Sequence, residues 1–163
     1  MRKTIAGLAL CAGLALAAAA CSGNDNSSGS GSGSAAPATT AAPKSGTVNL
    51  ATTKFGQVLA DGQGKILYIF TKDKANTSNC TGQCITNWPA LKATGTPTAG
   101  AGIDASKLGT IQRSDDGSAQ ITYGGQPLYY FAGDQSAGQV NGQNVGGIWF
   151  VVGADGKPIK STS

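Results

Sequence analysis

Four residue types recur in this chain at one spacing, and together they could bind or hold a ligand. Tyr68, Phe70, Asp73 and Trp88 come again as Tyr129, Phe131, Asp134 and Trp149, each 61 positions on. Tyr and Trp lining a groove could stack on a planar ligand or a sugar face, with the Asp carboxylates fixing hydroxyls. The same residues could instead be core: a buried Tyr needs a partner for its hydroxyl, and an Asp just past a strand end accepts loop N–H groups. Both readings stay open at this level. The chain has two Trp and four Phe, so the register marks a duplicated unit. Leu67 and Leu128 share it, as do Gly64 and Gly125. Leu50 with Ile111 and Gly56 with Gly117 extend it.

Other chemistry is narrowed by what is missing. There is no His and no Glu, and the one Met is Met1. His-based nucleophilic catalysis and most zinc or copper sites are thereby excluded. A Tyr-ligated haem and a paired Asp73/Asp134 hydrolase are conceivable, but no further residue pattern supports either. The reading is of no enzyme, no catalytic residues, no metal site and no cofactor. Asp73, Asn76, Thr77 and Asn79 offer hard oxygens for calcium, but without EF-hand spacing they also read as a solvated loop. Cys80 and Cys84 are most simply a disulfide in an exported chain; a redox pair is the alternative, although redox motifs usually place two residues between the cysteines.

The elements that must carry these residues are strands. Gly and turn residues separate short runs of aromatic and β-branched residues, which is an all-β pattern. Strands are expected at Thr47–Thr52, Gln57–Ala60, Lys65–Phe70, Leu108–Arg113, Ala119–Tyr123, Gln126–Phe131 and Ile148–Val152. Turns fall at Asp61–Gly64 and Gly124-Gly125, loops at Thr71–Asn87 and Ala132–Gly147, and a short helical turn at Asp104–Leu108. Tyr68 and Phe70 alternate with Leu67 and Ile69, so both faces of that strand are apolar and it should be covered on both sides. The expectation is two tandem pseudo-symmetric β repeats sharing one core, as a sandwich or barrel. Copy one spans about 50–94 and copy two about 111–155, within a domain of residues 46–163. Each copy alone is too small to fold readily.

The N-terminal part is an address. Arg2 and Lys3 precede an apolar run from Ile5 to Ala20, too short for a typical membrane span. Residues 1–20 read as a lipoprotein signal peptide whose Ala18-Ala19-Ala20-Cys21 ending resembles a lipobox, with Cys21 the lipidated residue. Plain secretion is the alternative. Residues 21–45 comprise that Cys and a Ser/Gly/Ala/Pro tether with too few large apolar groups to order. Without Arg2 and Lys3, ten basic residues face eight acidic ones, all Asp, and Arg113 is the remaining Arg. No basic stripe exists, so nucleic acid is not the expected partner.

The doubled Tyr-x-Phe-x-x-Asp followed by Trp, with Cys80-x-x-x-Cys84 before Trp88-Pro89 and Thr122-Tyr123-Gly124-Gly125-Gln126-Pro127-Leu128-Tyr129 in copy two, resembles the bacterial "secreted repeat" lipoproteins. That family, common in actinobacteria, is defined by a Tyr-x-(Phe/Trp/Tyr)-x-x-Asp motif. The resemblance covers about residues 50–155; Ala90 stands where a second Pro often follows Trp-Pro. It implies repeat architecture and anchoring on the extracytoplasmic face of the cell membrane, and it transfers no active site. The functional expectation is a binding or accessory module at the envelope, with an envelope protein or cell-wall component as partner. An electron-transfer or cofactor-carrier lipoprotein is the second reading, and cell-wall glycan binding the third.

Overall fold

The computed structural model describes residues 46–161. The expected signal peptide, the expected lipidation at Cys21 and the expected tether lie outside the described residues. The chain opens with a hairpin of β1 (Thr47–Thr53) and β2 (Gly56–Asp61), with Leu50 opposite Leu59. Then come β3 (Tyr68–Phe70), a five-residue helix α1 (Gln83–Asn87) and β4 (Thr98–Ala99), which pairs in parallel with β1. The second copy repeats the hairpin as β5 (Leu108–Gln112) and β6 (Ala119–Tyr123), then adds β7 (Gln126–Pro127) and β8 (Trp149–Val151). The fold is all-β, as expected.

Three local features depart from the sequence reading. The loop expected at Thr71–Asn87 contains α1, started by the Cys84 N–H donating to the Thr81 carbonyl. Copy two has a 3-10 turn at Val145–Gly147 in the corresponding place. The connection between the copies contributes β4 as well as the expected helical turn, a 3-10 turn at Ala105–Lys107 capped by the Asp104 side chain on the Ser106 N–H.

The repeat register also needs correction in the hairpins. The Leu59 N–H donates to the Val152 carbonyl and its carbonyl accepts from Leu67. Ile121 makes the same two bonds, to Leu91 and from Leu128. Leu59 therefore matches Ile121, 62 positions on, and its partner Leu50 matches Thr110, 60 positions on, rather than Ile111. Gly56 and Gly117 both turn a hairpin at positive φ, but they are not the same rung. The cause is loop length. Lys54 and Phe55 alone bridge the first hairpin, whereas Ser114 to Gly117 bridge the second. From Gly64 and Gly125 onward, both at positive φ, the spacing of 61 holds.

The two copies are interleaved at the centre. The Tyr68 N–H donates to the Tyr129 carbonyl at 2.8 Å, and the Tyr129 N–H donates back to Tyr68 at 2.9 Å. Outside this pair, Tyr68 lies opposite Val151 of copy two, and Tyr129 lies opposite Ala90 of copy one. Each Tyr strand is thus flanked by the Trp strand of the other copy. The alternation then sorts two apolar layers. Tyr68, Phe70, Tyr129, Trp88 and Trp149 pack on one side of the central strands. Leu67, Ile69, Leu91, Ile121, Leu128 and Val152 pack on the other. Because Tyr68 and Tyr129 each find the strand neighbours on both sides in the other copy, residues 46–94 produced alone should show no cooperative melt by circular dichroism. The same fragment co-expressed with residues 95–163 should recover one.

Candidate functional site

The repeated Tyr and Asp are joined across the copies. The Tyr68 hydroxyl donates to the Asp134 carboxylate at 2.6 Å, and the Tyr129 hydroxyl donates to Asp73 at 2.6 Å. Each Asp sits three residues beyond the Phe of its own strand, and its N–H closes a turn on that Phe carbonyl. The second oxygen of each carboxylate accepts a loop N–H: Asn79 for Asp73 and Asn141 for Asp134. Tyr68 also accepts from the Gly142 N–H at 3.2 Å. Gly142 is required there, since a Cβ would lie 2.9 Å from the Tyr68 ring and from Trp88. Short hydrogen bonds to an ionised acceptor are among the stronger ones in proteins.

The aromatic rings complete a symmetric stack over this pair. Trp88 and Trp149 lie face to face, 3.9 Å between centroids and 1° from parallel. Phe70 covers the outer face of Trp149 at 4.4 Å, and Phe131 lies against Trp88 at 4.5 Å. Tyr68 meets Trp88 edge-on at 5.4 Å, and Tyr129 meets Trp149 at 5.2 Å. Tyr68 and Tyr129 are 0% exposed, Trp88 5% and Trp149 4%. The motif's Tyr and Trp rings are therefore packed into the core, with their faces and edges occupied by one another, and only the half-buried Phe131 reaches the surface.

The two halves differ in one polar network. Arg113, a residue that sequence reasoning passed over, is buried. It holds Asp115 through two hydrogen bonds (2.9 and 2.7 Å), Gln120 at 2.7 Å, the Cys80 carbonyl at 2.6 Å and Ser78 at 3.0 Å. The Ser78 hydroxyl lies 2.7 Å from the Tyr129 hydroxyl. Tyr129 has one proton and gives it to Asp73, so Ser78 donates back to it. Cys80 and Cys84 form a disulfide that shapes the loop whose carbonyl Arg113 grips. In copy one the hairpin places equivalent to Arg113 and Gln120 are Thr53 and Val58, and that side is apolar. The one signal in the sequence was that this is the sole Arg beyond Arg2, set just before Asp115-Asp116. Among the described residues no buried side-chain nitrogen or oxygen lacks a hydrogen bond.

The surface beside the pair carries two clefts related by the same symmetry. The first, about 430 Å³, is lined by Ile69, Thr71, Asp73, Gly124 and Gln126. The second, about 400 Å³, is lined by their counterparts Tyr130, Ala132, Asp134, Gln63 and Lys65. Lys107 and Lys157 border the first, and Pro89 and Phe131 border the second. Among the described residues no three Cys or Asp groups converge as a metal site. Asp73, first of the residues that offered oxygens for calcium, spends its carboxylate on Tyr129 and Asn79.

Burial above all, and then the carboxylate beside each hydroxyl, push Tyr68 and Tyr129 well above the ordinary tyrosine range; Tyr130, beside Asp61, is raised for the same reasons. Burial also raises Asp73, against the lowering effect of its hydrogen bonds from Tyr129 and Asn79 and of the Arg113 charge. A tyrosine with a raised folded-state pKa contributes stability that is intact below about pH 10, where the unfolded chain begins to ionise, and is lost as pH rises further. Tyrosinate absorbance at 295 nm from Tyr68, Tyr129 and Tyr130 should therefore appear together with unfolding, above pH 10, and not as an earlier independent titration. Arg113→Ala should destabilise the fold by roughly 3 kcal/mol in urea melts, because Gln120 and the Cys80 carbonyl lose their donor in a buried place.

Neither a curated protein nor a solved structure matches the chain. A family model described as "Secreted repeat of unknown function" matches it twice, over residues 49–92 and 109–153. These two stretches are the interleaved copies, and each contains one Tyr, one Asp and one Trp of the shared core. The chain belongs to this family of secreted repeats, and carries two of them folded as one unit.

Proposed function

We propose that the protein is a lipid-anchored, extracytoplasmic binding module, without catalysis and without a cofactor, that holds a rigid pair of clefts away from the membrane. The observation that carries this reading is that Tyr68, Tyr129, Asp73 and Asp134 satisfy one another inside the fold. The groups best suited to chemistry are thereby engaged in stability, and the clefts beside them offer concave surface for a ligand. The anchor rests on Ala18-Ala19-Ala20-Cys21, and the reach on the tether of residues 22–45. The partner is an envelope protein or a cell-wall component. Ten basic residues beyond Arg2 and Lys3 stand against eight Asp, and the absence of a Lys/Arg stripe argues against nucleic acid.

A second reading, an electron-transfer lipoprotein, is favoured by one feature. The Trp88–Trp149 stack at 3.9 Å has a tyrosine with its own proton acceptor on either flank.

Three measurements on protein made in its own host test the anchor and separate these readings. The wild-type chain should sediment with membranes, and Cys21→Ser should release it into the soluble fraction. The wild-type lipoprotein, purified without chelators, should absorb only in the aromatic region, and cross-linking in cells should capture an envelope component. An absorption band at longer wavelength would put the electron-transfer reading first.

A further inference from the structure

The two clefts are equivalent in position but not in chemistry. Where the first has Ile69, 3% exposed, the second has Tyr130, half-buried. The Tyr130 hydroxyl donates to Asp61 at 2.9 Å, which holds the ring in place. Half-buried Phe131 and exposed Pro89 extend the same lining. The other Asp61 oxygen accepts the N–H groups of Gln63 and Lys65. Gln63 and Lys65 make these bonds through their backbone N–H groups, so their side chains are not what Asp61 holds.

The second cleft thus combines an aromatic and proline lining with an amide and an ammonium, and with the negative charge of Asp61 and Asp134, whose oxygens already accept hydrogen bonds within the fold. An amide offers both donors and acceptors, an ammonium only donors, and a carboxylate only acceptors. A pyranose ring is the ligand chemistry that answers this. It has an apolar C–H face for the aromatic surface and a rim of hydroxyls that both donate and accept. Asp61 and Asp134 outnumber Lys65 in the lining, so an acidic sugar is disfavoured. The volume, about 400 Å³, lies in the range of small-molecule sites, roughly 300–1,000 Å³.

We infer that the cleft at Tyr130 binds a neutral pyranose of an envelope glycan. This deepens the binding-module reading and rests on it. The motif's Tyr and Trp rings are buried and only Phe131 reaches the cleft, so the platform is centred on the residue after Tyr129, where copy two departs from copy one.

The test is isothermal titration of the full mature chain in detergent with two defined probes, the trimer of N-acetylglucosamine and the trimer of galacturonic acid. The neutral trimer should bind and the acidic one should bind at least tenfold more weakly. Tyr130→Ala should weaken the neutral trimer at least tenfold, and Gln63→Ala several-fold, while Ser114→Ala, in the β5–β6 loop and outside the cleft lining, leaves it unchanged. Gln63 is exposed, so its variant keeps the test valid if Tyr130→Ala fails to fold. No heat with the neutral trimer, equal or tighter binding of the acidic one, or binding indifferent to Gln63→Ala and Tyr130→Ala would overturn the inference. If no sugar binds while cross-linking captures an envelope protein, the saccharide assignment fails and the module reading stands. If neither is found, both fail.

Discussion

Each copy's tyrosine gives its proton to the other copy's aspartate, and this reciprocal exchange constrains most of what surrounds it. A buried phenol needs an acceptor, and a carboxylate drawn from water needs donors for both oxygens. Tyr68 and Tyr129 supply one donor to each Asp, and the loops beginning at Asp73 and Asp134 curl back to supply the other through Asn79 and Asn141. The loops must therefore take one shape, and that shape delivers Trp88 and Trp149 to the symmetry axis, where they stack on one another. The backbone bonds between Tyr68 and Tyr129 set the spacing across the axis. Duplication is in this sense required: one copy presents a Tyr hydroxyl and a Trp strand that only a second copy can satisfy.

With the centre fixed by symmetry, the periphery is where the copies diverge. Copy two's longer hairpin sends Arg113 inward to Ser78, the Cys80 carbonyl and Gln120, so the disulfide loop of copy one is held by the hairpin of copy two. The Arg113 charge is buried, but Asp115 meets it with two hydrogen bonds, which offsets the loss of water. Across the axis the matching place is filled by Val58 and other apolar groups, which need no such partners. The same divergence separates the clefts: Ile69 closes one as core, and Tyr130 lines the other with an aromatic ring tied to Asp61. A rigid centre thus permits differences at the rim, because a change there leaves the crossed Tyr–Asp bonds intact.

Much of this architecture was legible in residue order alone. The spacing of 61 between Tyr68 and Tyr129 revealed two copies, and the alternation of Tyr68 and Phe70 with Leu67 and Ile69 revealed a strand covered on both faces. Period-two alternation is a local property of the backbone, so it survives in a one-dimensional string. The pairing of Leu50 with Ile111 failed for the converse reason. A hairpin absorbs two extra residues in its loop without disturbing its strands, and identity at a constant offset then misplaces the rungs. The short helix α1 was missed because its five residues, Gln83–Asn87, are too few to show an apolar period.

What the chain's order determined by itself was the duplication, the all-β character, the pair Cys80 and Cys84, and the set of residues that matter: Tyr, Phe, Asp and Trp at matched positions. What only the tertiary structure decided was whom each of them touches. Nothing in the sequence separates a Tyr68 that bonds Asp73 from one that bonds Asp134, because hydrogen bonds between residues 66 positions apart depend on how the strands are ordered in space. The same holds for Arg113, whose partners Ser78 and Cys80 lie 35 and 33 positions away in the other copy. It holds also for the clefts, whose lining is assembled from both copies only once they interleave. Composition and period are summed along the chain, whereas partnership and concavity are set by distance, and distance exists only after the two halves have closed on each other.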